Sequence, residues 1–91
     1  MSRIKGYITG YLGYNSKNER YGLLISDLWE NDGFHCGEQL EVKVDDEWIP
    51  TRIEMSRGGE WYLVDTKYKG NLDFLPARII GWIDEDDVDM V

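Results

Sequence analysis

Short runs of β-branched and aromatic residues recur along this chain at hairpin-scale spacing, divided by polar turn clusters, and helical periodicity is weak throughout. That rhythm restricts the fold more than any other feature. Gln39–Val44 alternates cleanly, with Leu40, Val42 and Val44 on one face and Glu41 and Lys43 on the other. Such alternation marks a half-buried antiparallel strand. Asp45-Asp46 reads as a short turn, and Glu47–Met55 runs back with Ile49, Thr51, Ile53 and Met55 on one face and Trp48, Pro50, Arg52 and Glu54 on the other. Pro50 has no N–H to give a ladder, so the strand is expected at an edge or bulged there. Ser56-Arg57-Gly58-Gly59 is a turn signal that leads into Glu60–Asp65.

The flanking segments read the same way. Ile4–Tyr14 is a strand interrupted by Gly6, Gly10 and Gly13, which predicts bulges or bends that curl a sheet. Asn15–Glu19 is a polar turn, and Arg20–Ser26 returns as a second strand. Thr66–Leu75 is a longer connection with one helical turn expected around Asn71–Leu75. Pro76–Ile83 closes the pattern as a last strand, with Gly81 as another bend. The expected fold is all-β: a small single-domain antiparallel barrel or roll of five to six strands, an SH3-like arrangement being one form of it. Residues 1–83 make the barrel domain and 84–91 an acidic C-terminal tail.

A chain of 91 residues buries roughly 60–65% of its unfolded surface. Four Trp, six Tyr and two Phe are available for that core. One cysteine allows no internal disulfide, no signal-peptide-like run is seen, and no segment could span a membrane. A cytoplasmic protein, with no membrane partner, is expected. The net charge is −8, from 18 acids against 10 bases, and the acids crowd the end of the chain at Asp84, Glu85, Asp86, Asp87 and Asp89. A basic protein partner is favoured by steering. Direct nucleic-acid binding is not expected, since no Lys/Arg cluster exists in sequence.

The chemistry-bearing residues gather in the segment Asp27–Glu38, which holds Trp29, Phe34, the one histidine, the one cysteine and several carboxylates. His35 and Cys36 are adjacent, and neighbours on an extended chain point to opposite faces. Zinc needs three or four converging ligands, and no second Cys/His cluster is present. A calcium loop fails on register, because Leu28 falls where the first carboxylate is required. No second histidine is present as a base for Cys36. No metal, cofactor or catalytic residue is therefore expected. Aromatics ringed by polar groups have the composition of a protein–protein hot spot. The expected binding residues are Asp27, Trp29, Glu30, Asp32, Phe34 and His35, helped by Trp48 and Arg52 across the next hairpin.

The blocks RYGLLISDLWENDGFHCGEQLEVKV (20–44), EWIPTRIEM (47–55) and EWYLVDT (60–66) resemble DUF5348, a family of small uncharacterised proteins from Firmicutes. The resemblance implies a compact intracellular accessory domain of mobile elements, with no activity or catalytic residue to transfer. Together these readings predict a non-enzymatic protein-binding module, monomeric or dimeric. The alternatives are a small-ligand or metal pocket lined by Trp29, His35 and Cys36, and an acidic inhibitor that mimics nucleic acid.

Overall fold

The computed structural model describes residues 3–84, which form seven strands: β1 (Arg3–Asn15), β2 (Arg20–Ile25), β3 (Leu28–Asn31), β4 (Gln39–Val44), β5 (Glu47–Met55), β6 (Trp61–Leu63) and β7 (Pro76–Asp84). All pairings are antiparallel, in the order β3-β2-β1-β7-β4-β5-β6. The fold is all-β, as the recurring short strands predict. The sheet curls into a roll and does not close, because β3 and β6 end it. Seven strands replace the expected five to six. The additional one is β3, which occupies part of what reads as an irregular loop. It pairs with β2 through a two-residue turn, Ser26-Asp27, in which both residues have positive φ (50° and 64°).

The β4–β5 hairpin has the register its alternation predicts, with Val44 opposite Glu47 and Leu40 opposite Thr51. Asp45 and Asp46 both take positive φ (50° and 66°). Two such residues make the turn whose twist matches a right-handed hairpin. Pro50 lies on the part of β5 that has β4 on one side only, since β6 pairs with Ile53–Met55 alone. A residue with no N–H loses no ladder bond there.

The core fills the curl. Leu12, Leu23, Phe34, Val42, Ile53, Leu63 and Leu72 are fully buried, supported by Tyr21, Leu40, Trp61 and Ala77. The glycines of β1 and β2 serve close approach more than bending. A side chain at Gly10 would run into the Leu24 carbonyl, and one at Gly22 into the Asn31 carbonyl.

The connection 64–75 contains no helical turn. Asp73 and Phe74 make a bend in which Phe74 has φ +67°, and the Phe74 N–H donates to the Leu12 carbonyl at 2.8 Å. The backbone partners of this segment lie on other strands, Leu12 of β1 for Phe74 and Leu75, and Trp61 and Leu63 of β6 for Gly70 and Tyr68, which outweighs any local helical preference. Tyr21 pins the same stretch: its hydroxyl donates to the Gly70 carbonyl (3.3 Å) and accepts from the buried Leu72 N–H (3.1 Å).

Burial pushes the Tyr21 phenol above its usual value; the Leu72 N–H opposes that shift, and Asp73 and Tyr14 add to it. Tyr21→Phe is expected to strand the Leu72 N–H at about 1–3 kcal/mol, each kcal/mol moving Tm by about 4–8 °C. The raised value means the fold favours the neutral phenol. Its contribution is therefore full below about pH 10 and lost as pH rises through the higher folded value. Thermal scans from neutral to strongly alkaline pH check this: the variant should begin less stable and lose less on the alkaline side.

Among the described residues, β1 from Arg3 to Thr9 pairs only with β7, because β2 joins at Tyr11. Likewise β4 pairs with β7 only at Ala77 and Arg78. Ile8 and Ile79 still pack against the core, and beyond them residues 3–7 and 80–84 leave the roll as a two-stranded ribbon. Gly6 faces Gly81 at its waist, where Ile83 Cδ1 and Ile8 Cδ1 each lie 2.6 Å from where the opposing Cβ would be.

Candidate functional site

Where β4 parts from β7, the outer face of the sheet gathers a set of polar and aromatic side chains. Register places Thr9, Arg78, Glu41 and Pro50 in one row across β1, β7, β4 and β5. Period-two alternation puts Lys5, Tyr7 and Tyr11 of β1, Ile80 and Trp82 of β7, Lys43 of β4, and Trp48 and Arg52 of β5 on that same face. Arg78 is its centre. Nε and Nη2 of its guanidinium donate to Glu41 Oε1 at 2.9 and 2.7 Å, and the Tyr7 hydroxyl donates to Glu41 Oε2 at 3.4 Å. The guanidinium carbon lies 3.7 Å from the centre of the Tyr7 ring and 4.4 Å from that of Trp48.

Two aromatic faces and a carboxylate thus hold one cation, an arrangement in which Arg stacks well because its guanidinium is planar and weakly hydrated. Lys43 Nζ sits 5.9 Å from the Trp48 ring and Lys5 Nζ 5.6 Å from Trp82. Beside this network lies an open cleft of about 530 Å³, lined by Tyr7, Glu41, Pro50, Arg52, Arg78 and Ile80 among others. Arg52 pairs with Glu54 at 3.3 Å at its border.

The residues expected from the sequence to bind fall into separate places. Trp48 and Arg52 belong to the outer face just described. Asp27 forms the β2–β3 turn, and Glu30 is exposed on β3, at the far end of the strand order from β5. Trp29 is partly exposed, with its indole lying over Gly13 and Gly22. The Asp32 carbonyl accepts from the side-chain amides of Asn15 (3.0 Å) and Asn18 (2.9 Å). Phe34 is in the core, 1% exposed, and its carbonyl accepts from Arg20 Nη1 at 3.0 Å. Its ring is therefore absent from any contact surface.

His35 and Cys36 are exposed on a tight turn closed by Glu38, whose carboxylate accepts the His35 N–H at 2.9 Å. They do not line the cleft. Among the described residues, no three His, Cys, Asp or Glu side chains are grouped to hold a metal ion, and no helix is long and apolar enough to cross a membrane. The expected tail at 84–91 lies outside the described residues except for Asp84, which ends β7.

Tyr7, Glu41, Arg78 and Trp82 were not singled out by the sequence. Their alternation on β1, β4 and β7 is readable, but what unites them is the register of β1 on β7, between segments some seventy residues apart. Phe74, 77% exposed at positive φ, is a further aromatic that no sequence signal marks.

One comparison with known proteins names a family, and none names an activity. The model of a domain of unknown function, DUF5348, matches residues 10–79. A crystal structure of a protein from Ruminococcus gnavus is similar, with a TM-score of 0.67 and 38% identity over 79% of this chain and all of the other. No curated protein matches the chain significantly. With the family model spanning most of its length, this chain belongs to the DUF5348 family.

Proposed function

We propose that this chain is a non-enzymatic, cytoplasmic protein-binding module, an accessory of mobile elements, whose contact surface is the outer sheet face around Arg78. The observation that carries this reading is the Tyr7–Arg78–Trp48 stack beside exposed Tyr11, Ile80 and Trp82. Trp, Tyr and Arg dominate binding hot spots because they bury much surface at little conformational cost. Here the arginine is already held by Glu41, so little ordering remains to oppose binding.

The cations Lys5, Lys43, Arg52 and Arg78 sit on this face, with Glu41 and Glu54 each committed to an arginine. Locally the surface suits a neutral or acidic partner, whereas the total charge of −8 taken alone favours a basic one. The cleft supports a second reading, a small-ligand site, since its size falls within the usual range of about 300–1,000 Å³. Mimicry of nucleic acid finds less support in the described residues, because Asp27, Asp45 and Asp46 are taken up in turns at separate ends of strands.

Affinity capture from a Firmicutes lysate tests the reading, with wild type compared against Trp48→Ala, Arg78→Met and Trp29→Ala, each checked for fold by circular dichroism. A discrete protein should be retained by wild type and Trp29→Ala and lost from the other two. A hot-spot loss of about 2 kcal/mol or more weakens binding roughly thirtyfold. Loss with Trp29→Ala alone would move the contact to the β2–β3 hairpin. Capture indifferent to all three variants would reject the surface.

A further inference from the structure

A guanidinium carries its N–H donors in a rigid plane, and two of its edges each offer a parallel pair of them. Arg78 uses one edge inside the molecule, where Nε and Nη2 both donate to Glu41 Oε1. The other edge, formed by Nη1 and the second N–H of Nη2, donates to nothing among the described residues. That edge is not sealed in, because no buried side-chain nitrogen or oxygen there lacks a partner. The Arg78 side chain is 21% exposed and lines the open cleft, so the free edge faces it.

The two faces of the guanidinium are already taken. Tyr7 comes from β1 and Trp48 from β5, which lie on opposite sides of β7 in the sheet, and both rings stack on the guanidinium carbon. A ligand must therefore enter in the plane, along the free edge. In-plane pairing with two parallel N–H donors is the geometry of a carboxylate or a phosphate.

Charge selects between the two. On this face the cations Lys5, Lys43, Arg52 and Arg78 outnumber the acids Glu41 and Glu54, although the whole chain carries −8. Lys43 stands over the same Trp48 ring, which offsets the repulsion between Glu41 and an incoming anion. Glu38 and Asp65 also line the cleft, and the second charge of a phosphate would be repelled by them. A singly charged carboxylate fills the fork without that penalty.

We propose that the free edge of Arg78 receives a carboxylate, an Asp or Glu side chain of the partner protein, while Glu41, Tyr7 and Trp48 hold the guanidinium ready for it. The source of the carboxylate rests on the protein-binding reading of this face, but the fork exists without the partner. A guanidinium fixed on three sides loses little freedom on pairing. A lysine at the same position would bring one rotating ammonium and no planar pair. Arg78 thus sets the chemistry that the partner must present, and the two rings set the direction from which it comes.

Tetraglutamate is the probe, titrated into the intact chain at low ionic strength and followed by NMR at the Arg78 side-chain N–H and Trp48 indole signals. Both should shift saturably, with half-saturation at about 1–10 mM. Arg78→Lys, which keeps the charge and loses the fork, should weaken the probe about tenfold. Inorganic phosphate should bind wild type less tightly than tetraglutamate does.

Should Arg78→Lys fail to fold, the wild-type shifts and the phosphate comparison still decide. No saturable shift at Arg78, equal affinity of wild type and Arg78→Lys, or phosphate bound more tightly than tetraglutamate would each overturn the proposal. Protein capture that succeeds where tetraglutamate fails to bind would end this inference and leave the proposed function standing. Tetraglutamate bound at Arg78 with no protein captured would do the reverse, leaving the fork as a carboxylate site.

Discussion

Phe34→Ala is expected to cost about 3–5 kcal/mol, the usual range for emptying an aromatic site in a core. For a domain of this size that is a fall in Tm of tens of degrees, or outright unfolding, since total stability is about 5–15 kcal/mol. The ring is fully buried among Leu12, Leu23 and Ile53. The backbone on either side is also committed, with the Phe34 N–H donating to the Tyr21 carbonyl at 2.7 Å and its carbonyl held by Arg20. Little can collapse into the space left behind. Urea unfolding curves of the two proteins would measure the difference, and a cost under about 1 kcal/mol would mean that the ring does not occupy the core. The result also governs how binding experiments are read: loss of a partner on truncating Phe34 reports loss of the fold.

Gly10→Ala should be comparably severe, about 3 kcal/mol, at the upper end of what overpacking costs. Gly10 lies where β1 passes from pairing with β7 to pairing with β2, with Ala77 opposite it. A methyl group there meets the Leu24 carbonyl oxygen and, at 3.0 Å, Ile25 Cγ1. Backbone cannot step aside as the end of a side chain can, so relief requires β1 and β2 to separate. Gly58→Ala is the control, because its methyl would find only Ser56 Oγ at 3.8 Å, and its effect should stay within about 0.5 kcal/mol. Equal melting temperatures for the two variants would show that β1 and β2 are not in close approach at Gly10.

These two residues also mark how far the sequence can be read. The β4–β5 hairpin was legible down to its register, because alternation and a two-residue turn determine each other. The Arg20–Ser26 and Pro76–Ile83 strands were legible as runs. By contrast Leu28-Trp29-Glu30-Asn31 neither alternates nor buries its side chains, so β3 leaves no periodic trace. Only the Ser26-Asp27 turn pairs it with β2.

Trp29 and Phe34 look alike in sequence, two aromatics around an acidic loop. Only the three-dimensional path puts one over a bed of glycines and the other inside. Arg78 was hidden for a different reason. An arginine in a terminal strand looks ordinary until Tyr7, Glu41 and Trp48 are brought around it by three separate pairings. Gly10 could be recognised as an interruption, but whether it bends a strand or admits a neighbour depends on the carbonyl of Leu24, on a different strand.

The ribbon has a consequence for how the chain is made. The β1–β2, β4–β5 and β5–β6 pairings are between neighbours in sequence and can form as soon as each hairpin exists. The ribbon joins Arg3 to Asp84, so its pairing waits until β7 has been synthesised. Until then Ile4, Tyr7 and Ile8 wait for the strand they pair with. The arrival of β7 converts a set of local hairpins into one sheet.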